Sequence, residues 1–376
     1  MNVLLDPGLV APGTLSGIGH HASNLAKHLA SMTRCDTTDY RSLLSVPRVA
    51  RRYAYIAAAN LRVRSDRHEV VHYLSHYVPF ARGIAKKVVT IYDLSVFKHP
   101  ETTSPVWRRF NRHALRDALR RADAAVAISK AIRDEIAELF PETDPARLHV
   151  CPCGVREHFF RAQPAPDGVR QAGFEPYAYF LYVGDLTRRK NLPLLLKAFV
   201  RAKEEGALHR KTELVLVGKR AWGFADIEHL LRADMGIKLP GYLPDSALPG
   251  LYRYSRALVF PSLYEGFGIP LVEAMSQGAP IICSNIPTSR ELDDRHGRQM
   301  NMFDPGDEGR LVELLALMDE RREGVRPSLN YGDLGMYHYD AIARVHLDIF
   351  RTTLESRSSV DSTAEHGRYP GERGTA

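Results

Sequence analysis

The chain has 376 residues, and a single hydrophobic core rarely grows past roughly 250–300, so two domains are expected. Hydrophobic residues make up 44% and charged residues 25%, mean hydropathy is −0.26, and no apolar run approaches the ~20 residues of a bilayer span, which excludes a disordered chain and an integral membrane protein. The net charge of +7 is uneven: residues 1–165 carry 24 Lys and Arg against 15 Asp and Glu, a net +9, and the rest nets −2, which points to an anionic surface or polymer meeting one domain only.

Short apolar runs alternate with helical patterns along the whole chain. In order they are VLLD (3–6), VVHYL (70–74), KVVTIYD (87–93), AAVAIS (124–129), LHVCP (148–152), YFLYVGD (179–185), ELVLVG (213–218), IKLPG (237–241), ALVFPS (257–262) and PIICSN (280–285). Continuous apolar strands separated by helices predict parallel sheets covered on both faces, so the fold class is α/β, two doubly wound Rossmann-like domains facing across a cleft. The alternation breaks between about Arg156 and Pro176, a Pro-, Gly- and Ala-rich stretch read as the linker. The expected division is residues 1–165, residues 166–335, a helix over 336–355 returning to the first domain, and a disordered tail over 356–376.

The N-terminus has no basic region ahead of its short apolar stretch, and Cys35, Cys151, Cys153 and Cys283 are too few and scattered for a disulfide framework. A reducing cytoplasm is the expected compartment.

One motif carries the chemistry. Phe260-Pro-Ser-Leu-Tyr-Glu265-Gly-Phe-Gly-Ile-Pro270-Leu-Val-Glu273 follows the strand ALVF and leads into a helix, with Pro270 suited to its first position. Gly266, Phe267 and Gly268 then form the turn, where bare glycines let a ligand approach the backbone and the helix-start amides favour phosphate. Glu273, one turn into the helix, can accept hydrogen bonds from vicinal hydroxyls, and Glu265 can reach a hydroxylated ring. Together they describe a site for a nucleotide-sugar.

The block YRYSRALVFPSLYEGFGIPLVEAMSQGAPIICSN, with YFLYVGDLTRRKNLPLLLKAF, LVLVGKRAWGF and LPGYLPDSALPGLY, resembles the family 4 glycosyltransferases of the GT-B fold, Glu265 and Glu273 matching that family's paired glutamates. The resemblance covers most of residues 14–350. It implies that Arg189 and Lys190 hold the donor diphosphate, that Gly218 and Lys219 line the same cleft, and that Tyr242 sits where the base is recognised. Where many relatives place an Arg after the glycine, this chain has Asp185.

In the first half, Gly17-Ile-Gly19-His-His-Ala22 formally meets a dinucleotide fingerprint, but ten residues separate it from its strand, so an NAD site is disfavoured. The resemblance implies a loop closing over the donor phosphates. Tyr92-Asp93 ends the strand KVVTI where relatives have His-Asp; Asp93 can orient an acceptor, while Tyr92 removes the usual base. His72, His76 and His99 are the alternatives, and Ser129 reads as a helix cap. Basic residues cluster at Arg48, Arg51, Arg52, Arg62 and Arg64, and again from Trp107 to Arg121, where six arginines interleave with Trp107, Phe110, Ala114, Leu115 and Leu119, the pattern of an interfacial helix.

These features predict a retaining glycosyltransferase moving a sugar, first choice mannose from GDP-mannose, to a hydroxyl of a lipid-linked or oligosaccharide acceptor in bacterial surface-polysaccharide synthesis. Catalytic roles fall to Glu265, Lys190, Arg189 and Asp93; donor contacts fall to Gly17, Gly19, Gly218, Lys219, Tyr242, Gly266, Phe267, Gly268 and Glu273. With no Asp-x-Asp pair, neither a metal nor another cofactor is expected; nor is nucleic acid a partner. An anionic membrane surface is one, placing the protein on the inner face of the plasma membrane. The rival readings are a nucleotide-sugar epimerase and a non-catalytic nucleotide-sugar-binding subunit.

Overall fold

The computed structural model describes residues 1–8, 17–38, 54–61, 67–79, 83, 85–161, 163–220, 224–241, 243–320 and 329–356. Among the described residues twelve strands form two six-stranded sheets, and every pairing is parallel. The first half holds β1 (Asn2–Asp6), β2 (Arg34–Thr37), β3 (Val70–Tyr73), β4 (Lys86–Ile91), β5 (Ala124–Ala127) and β6 (Leu148–Val150). The second holds β7 (Tyr179–Val183), β8 (Glu213–Val217), β9 (Ile237–Gly241), β10 (Leu258–Phe260), β11 (Ile281–Ser284) and β12 (Asn301–Phe303). Inner strands such as β3, β5 and β11 are buried at every residue, because helices cover both faces of a parallel sheet.

The spatial orders are β2-β1-β3-β4-β5-β6 and β12-β11-β10-β7-β8-β9. Strand order therefore reverses between β1 and β3 in one sheet and between β7 and β10 in the other. At such a switch point the two flanking connections leave in opposite directions and open a crevice beyond the carboxyl ends of the strands.

Ten of the strands coincide with the predicted apolar runs to within about two residues at either end. The two others, β2 and β12, are sheet edges. β2 reads Arg-Cys-Asp-Thr with three exposed residues, so it lacks the apolar signature of a covered strand. The expected linker is more ordered than its composition suggests: it contains the helices Glu157–Arg161 and Pro166–Gln171, anchored by buried Phe159, Val169 and Phe174.

The helix Tyr339–Glu355 packs against the helix Gly17–Ala30. Its buried face, Ile342, Ala343, Leu347 and Phe350, joins Val3, Leu5, Leu25 and Val88 in one core. Residues 357–376, expected as a tail, lie outside the described residues. No described helix is long and apolar enough to cross a membrane.

The arginine-rich helix runs from Pro105 to Arg121, and part of the apolar stripe expected to face lipid faces inward instead, while Phe110 and Ala114 are only partly buried. Leu115, Ala118 and Leu119 are buried in the protein's own core. Two of the arginines are also committed: Arg108 Nη1 donates to the Pro100 carbonyl at 3.2 Å and Arg112 Nε to the Val96 carbonyl at 2.7 Å. Arg48, Arg51, Arg52, Arg62 and Arg64 lie outside the described residues.

Candidate active site

The β7/β10 switch point assembles the first cluster. After β7 the chain turns through Gly184 and Asp185 into a short 3-10 turn, Arg188–Lys190; after β10 it runs to Glu265. The two segments are tied by their backbones, Leu263 N donating to the Arg189 carbonyl at 2.9 Å. Glu265 Oε1 accepts from Lys190 Nζ at 2.5 Å and from Ser262 Oγ at 2.6 Å, and Oε2 accepts from Arg189 Nη1 at 3.0 Å. Arg189 Nη1 also donates to the Tyr264 carbonyl at 2.7 Å, and Lys190 Nζ stands 5.0 Å from the Phe260 ring centroid. Burial alone would raise the Glu265 carboxyl, but the Lys190 and Arg189 charges outweigh it and hold it at about 2. The cluster is thus one buried carboxylate between two cations, carrying a net positive charge at the mouth of the crevice. Asp93, from the end of β4 across the cleft, is close enough to Arg189 for its charge to act on the guanidinium. Its Oδ1 accepts from Ser95 N at 3.0 Å and Ser95 Oγ at 2.7 Å.

A second cluster surrounds Glu273. Its helix is Ile269–Ser276, so Pro270 is the second helical residue, after an N-cap at Gly268 with φ +104°. Glu273 Oε2 accepts from the Tyr252 hydroxyl at 2.8 Å, and Oε1 from Arg156 Nη2 at 3.2 Å; Arg156 also pairs with Asp245. Burial raises the Glu273 carboxyl, against the Arg156 charge and the Tyr252 hydrogen bond. His20 reaches this cluster from the start of the helix Gly17–Ala30: burial, then the nearby Arg156 charge, lowers its pKa, with Asp245 and Lys219 also in range. Gly17 and Gly19 open that helix, so the structure brings Gly19, Lys219 and Glu273 to one region. Sequence reasoning missed Arg156 and Asp245. Arg156 stood at the edge of the supposed linker, and only the fold reveals its partners.

Several expected ligand contacts are instead contacts within the protein. A Cβ on Gly266 would lie 1.8 Å from the Tyr92 carbonyl oxygen, and the Gly266 carbonyl accepts from Ser129 Oγ at 2.7 Å. Gly266 therefore admits the backbone of the opposite half rather than a ligand. Ser129 also caps its helix, accepting from Ile132 N at 3.1 Å. A Cβ on Gly218 would lie 1.9 Å from the Gly184 carbonyl oxygen, so this glycine lets the turns after β7 and β8 pack together. Phe267 is turned into the core, its ring 5.8 Å from that of Tyr337. Tyr242 and the loop preceding Gly17 lie outside the described residues.

More contacts join the halves. The Tyr264 hydroxyl donates to Glu135 Oε2 at 2.6 Å and accepts from Leu94 N at 2.9 Å. The Glu291 carboxylate accepts from the amides of Lys130 and Ala131 at 3.0 and 2.9 Å, a helix N-terminus capped from across the cleft.

The alternative bases do not enter this site as free groups. His72 is fully buried, with Nε2 2.8 Å from Thr90 Oγ1, and its ring centroid is 5.0 Å from that of His346. His76 Nε2 faces Asn111 Oδ1 at 2.6 Å. His99 is half-exposed, 3.2 Å from a Glu101 oxygen and stacked at a tilt over Tyr264, with centroids 5.4 Å apart. The Tyr92 hydroxyl is buried without a hydrogen-bond partner, and burial pushes its pKa well up. Among the described residues no group of three or more His, Cys, Asp and Glu is placed to hold a metal ion.

Two facing doubly wound domains, with paired glutamates and a basic pair at a switch point, define a GT-B glycosyltransferase architecture. The family Glycosyl transferases group 1 matches residues 169–323, and Glycosyltransferase Family 4 matches residues 15–159. The chain belongs to the family 4, group 1 glycosyltransferases. It is 30% identical over 236 residues to the O-antigen chain mannosyltransferase B of Escherichia coli, covering 61% of this chain and 60% of that protein. It is 24% identical over 243 residues to the O-antigen chain mannosyltransferase RfbU of Salmonella typhimurium, covering 64% and 63%. The chain thus spans about three fifths of the length of these curated relatives. The fold is shared with Anabaena HepE, solved in complex with UDP, at a TM-score of 0.62 and 17% identity over 96% of this chain and all of that one.

Proposed function

We propose that the protein is a retaining glycosyltransferase that takes a hexose from a nucleotide-diphosphate donor, with GDP-mannose the first choice, and delivers it to a hydroxyl of a lipid-linked or oligosaccharide acceptor in bacterial surface-polysaccharide synthesis. The observation that carries this reading is the Glu265–Arg189–Lys190 cluster at the β7/β10 switch point. The names of the mannosyltransferase relatives support the sugar and the pathway class.

In this reading Arg189 and Lys190 face the departing diphosphate and offset its growing charge, the kind of stabilisation that strengthens as the bond to the sugar breaks. Glu273, held by Tyr252 and Arg156, accepts hydrogen bonds from the ribose hydroxyls. Asp93 orients the acceptor from the opposite half. Retention means that the acceptor hydroxyl attacks from the face the diphosphate leaves, so the departing phosphate is itself the nearest proton acceptor. That accommodates a buried Tyr92 where relatives carry histidine. The positive charge comes from side chains, and no metal is required. The protein is placed on the cytoplasmic face of the membrane, where an anionic lipid-linked acceptor would be met.

The deciding experiment is a thermal-shift screen with GDP, UDP and their sugars, followed by transfer assays with the stabilising donor. A ligand bound by the folded chain alone raises stability by mass action, so GDP and GDP-mannose should stand out. Stabilisation by UDP-sugars alone would exclude the mannose donor. Donor turnover to an epimeric sugar without any acceptor would favour the epimerase.

A further inference from the structure

The first sheet has its own switch point, between β1 and β3; the start of the helix Gly17–Ala30, which follows β1, reaches the donor cluster, while the segment that leaves β3 takes no part in the donor contacts described above. Beside it lies a cavity of about 230 Å³. Its walls come from the helix 54–61, from the segment that leaves β3, and from one face of the helix Pro105–Arg121; Tyr55, Ala59, Tyr77, Val78, Phe110 and Ala114 give it a mainly apolar lining. The walls are pinned to the sheet's carboxyl edge. The Tyr55 hydroxyl donates to Asp6 Oδ1 at 3.3 Å at the end of β1, and the His76 contact with Asn111 ties the β3 exit to the long helix. Tyr92 and Asp93 follow β4, the strand next to β3, so the cavity belongs to the same half as Asp93, the acceptor half of the proposed function.

Helix geometry extends the lining outward. Val106, Phe110, Ala114 and Asp117 succeed one another at spacings of four, four and three, which is a single face. Val106 is 84% exposed, and Leu61, at the end of the opposite helix, is 67% exposed; these are the two most exposed large apolar residues among those described. One residue further round the helix runs a row of exposed arginines, Arg109, Arg116 and Arg120. Asp117, the carboxylate in the lining, is paired with Arg121 Nε at 2.6 Å. An apolar cavity of about 150 Å³ is already enough to take benzene, so this one has room for a short stretch of hydrocarbon chain. A soluble saccharide would gain nothing from it. An anionic amphiphile would place its chain in the cavity and its phosphate along the arginine row.

The geometry points to this cavity as the seat of the hydrocarbon chain next to the phosphate of a lipid-linked acceptor, an assignment that rests on the acceptor side of the proposed function. The test uses n-alkyl phosphates from butyl to dodecyl, measured by calorimetry on the full chain. Affinity should rise by up to roughly fourfold per added methylene until the cavity is filled, and then level off. Inorganic phosphate alone should bind far more weakly. Ala114→Trp fills the cavity and should flatten the dependence on chain length; Ala59→Phe fills it from the opposite wall should the first variant fold poorly. Arg109→Ser with Arg116→Ser should weaken every member of the series by a similar factor. No chain-length dependence in the native protein, or an unchanged dependence in both filled variants, would overturn the assignment. Nucleoside-diphosphate binding, followed in parallel, separates the two readings: its absence would defeat the donor site and leave the alkyl-phosphate result standing.

Discussion

Gly266 lies so close to Tyr92 that the Cβ it lacks would stand 1.8 Å from the Tyr92 carbonyl oxygen. The turn that joins the paired glutamates is therefore also the point where the donor half touches the end of β4. Gly266→Ala should force the halves apart at this point, with an overpacking cost of about 1–3 kcal/mol. The expected result is a fall in turnover with nucleotide affinity retained, because Glu273 and its partners lie on the donor side. Kinetics at saturating donor check it; wild-type turnover would mean that catalysis does not use the closed contact.

Lys190→Ala should cost on the order of 2–4 kcal/mol of transition-state stabilisation, read as the drop in kcat/KM. Asp185→Ala should cost much less, since the Asp185 side chain is exposed and acts on Lys190 only through its charge. Equal effects would place the leaving phosphate elsewhere. A melting temperature for each variant separates catalytic loss from the cost of leaving Glu265 with Arg189 alone.

Arg156→Met tests the grip on Glu273. Burial already raises that carboxyl, and Arg156 opposes the rise; without the cation, a larger fraction of Glu273 is protonated at neutral pH. A protonated carboxyl accepts vicinal hydroxyls poorly, so nucleotide affinity should drop at pH 6–7 and recover as pH rises. Titrations between about pH 6 and pH 9 decide it. An affinity loss independent of pH would reduce Arg156 to a structural brace.

Three buried histidines set the acid limit of the first half. Burial holds His21 at about 3 and His346 at about 4, and lowers His72 well below its ordinary value. Each stays neutral in the folded protein and takes up a proton on unfolding below about pH 6.5. Stability from these groups is therefore intact above that pH and is lost as pH falls, at up to about 1.4 kcal/mol per histidine for each pH unit. Glu265, with its carboxyl depressed from 4.5 to about 2, adds a loss that begins as pH falls into the ordinary carboxylate range and continues down toward the folded value. Urea melts across pH 4–7 should show the slope, and His72→Phe with His346→Leu should flatten it.

Activity should survive EDTA, because Arg189 and Lys190 supply the charge that a divalent cation would otherwise bring to the diphosphate. Loss on chelation with recovery on added magnesium would contradict this.

The elements that positioned the site were legible because they are locally determined. Continuous apolar runs mark covered parallel strands, and glycines before a proline mark a strand-to-helix turn. The family resemblance assigned Arg189 and Lys190 to the donor diphosphate, but their pairing with Glu265 was not legible, because its physical cause, the reversal of strand order between β7 and β10, is long-range. Arg156 was invisible for the same reason, since it meets a carboxylate 117 residues away. The glycines misled for a different cause. A missing side chain reports a close approach, and sequence does not say whether a ligand or another piece of backbone makes it. The arginine helix shows a similar ambiguity: periodicity located an apolar stripe at Leu115 and Leu119 but not which surface it covers.

The packing of Tyr339–Glu355 on Gly17–Ala30 has a bearing on how the molecule is made. Synthesis runs from N- to C-terminus, so strands β1 to β6 emerge before β7 to β12, yet the helix that covers Val3, Leu5 and Val88 appears only after all twelve of these strands. Strands β7 to β12 are contiguous in sequence and have their helices beside them. The half synthesised second is thus the half that can finish folding first, and the earlier half waits with an uncovered apolar face until translation reaches Phe350.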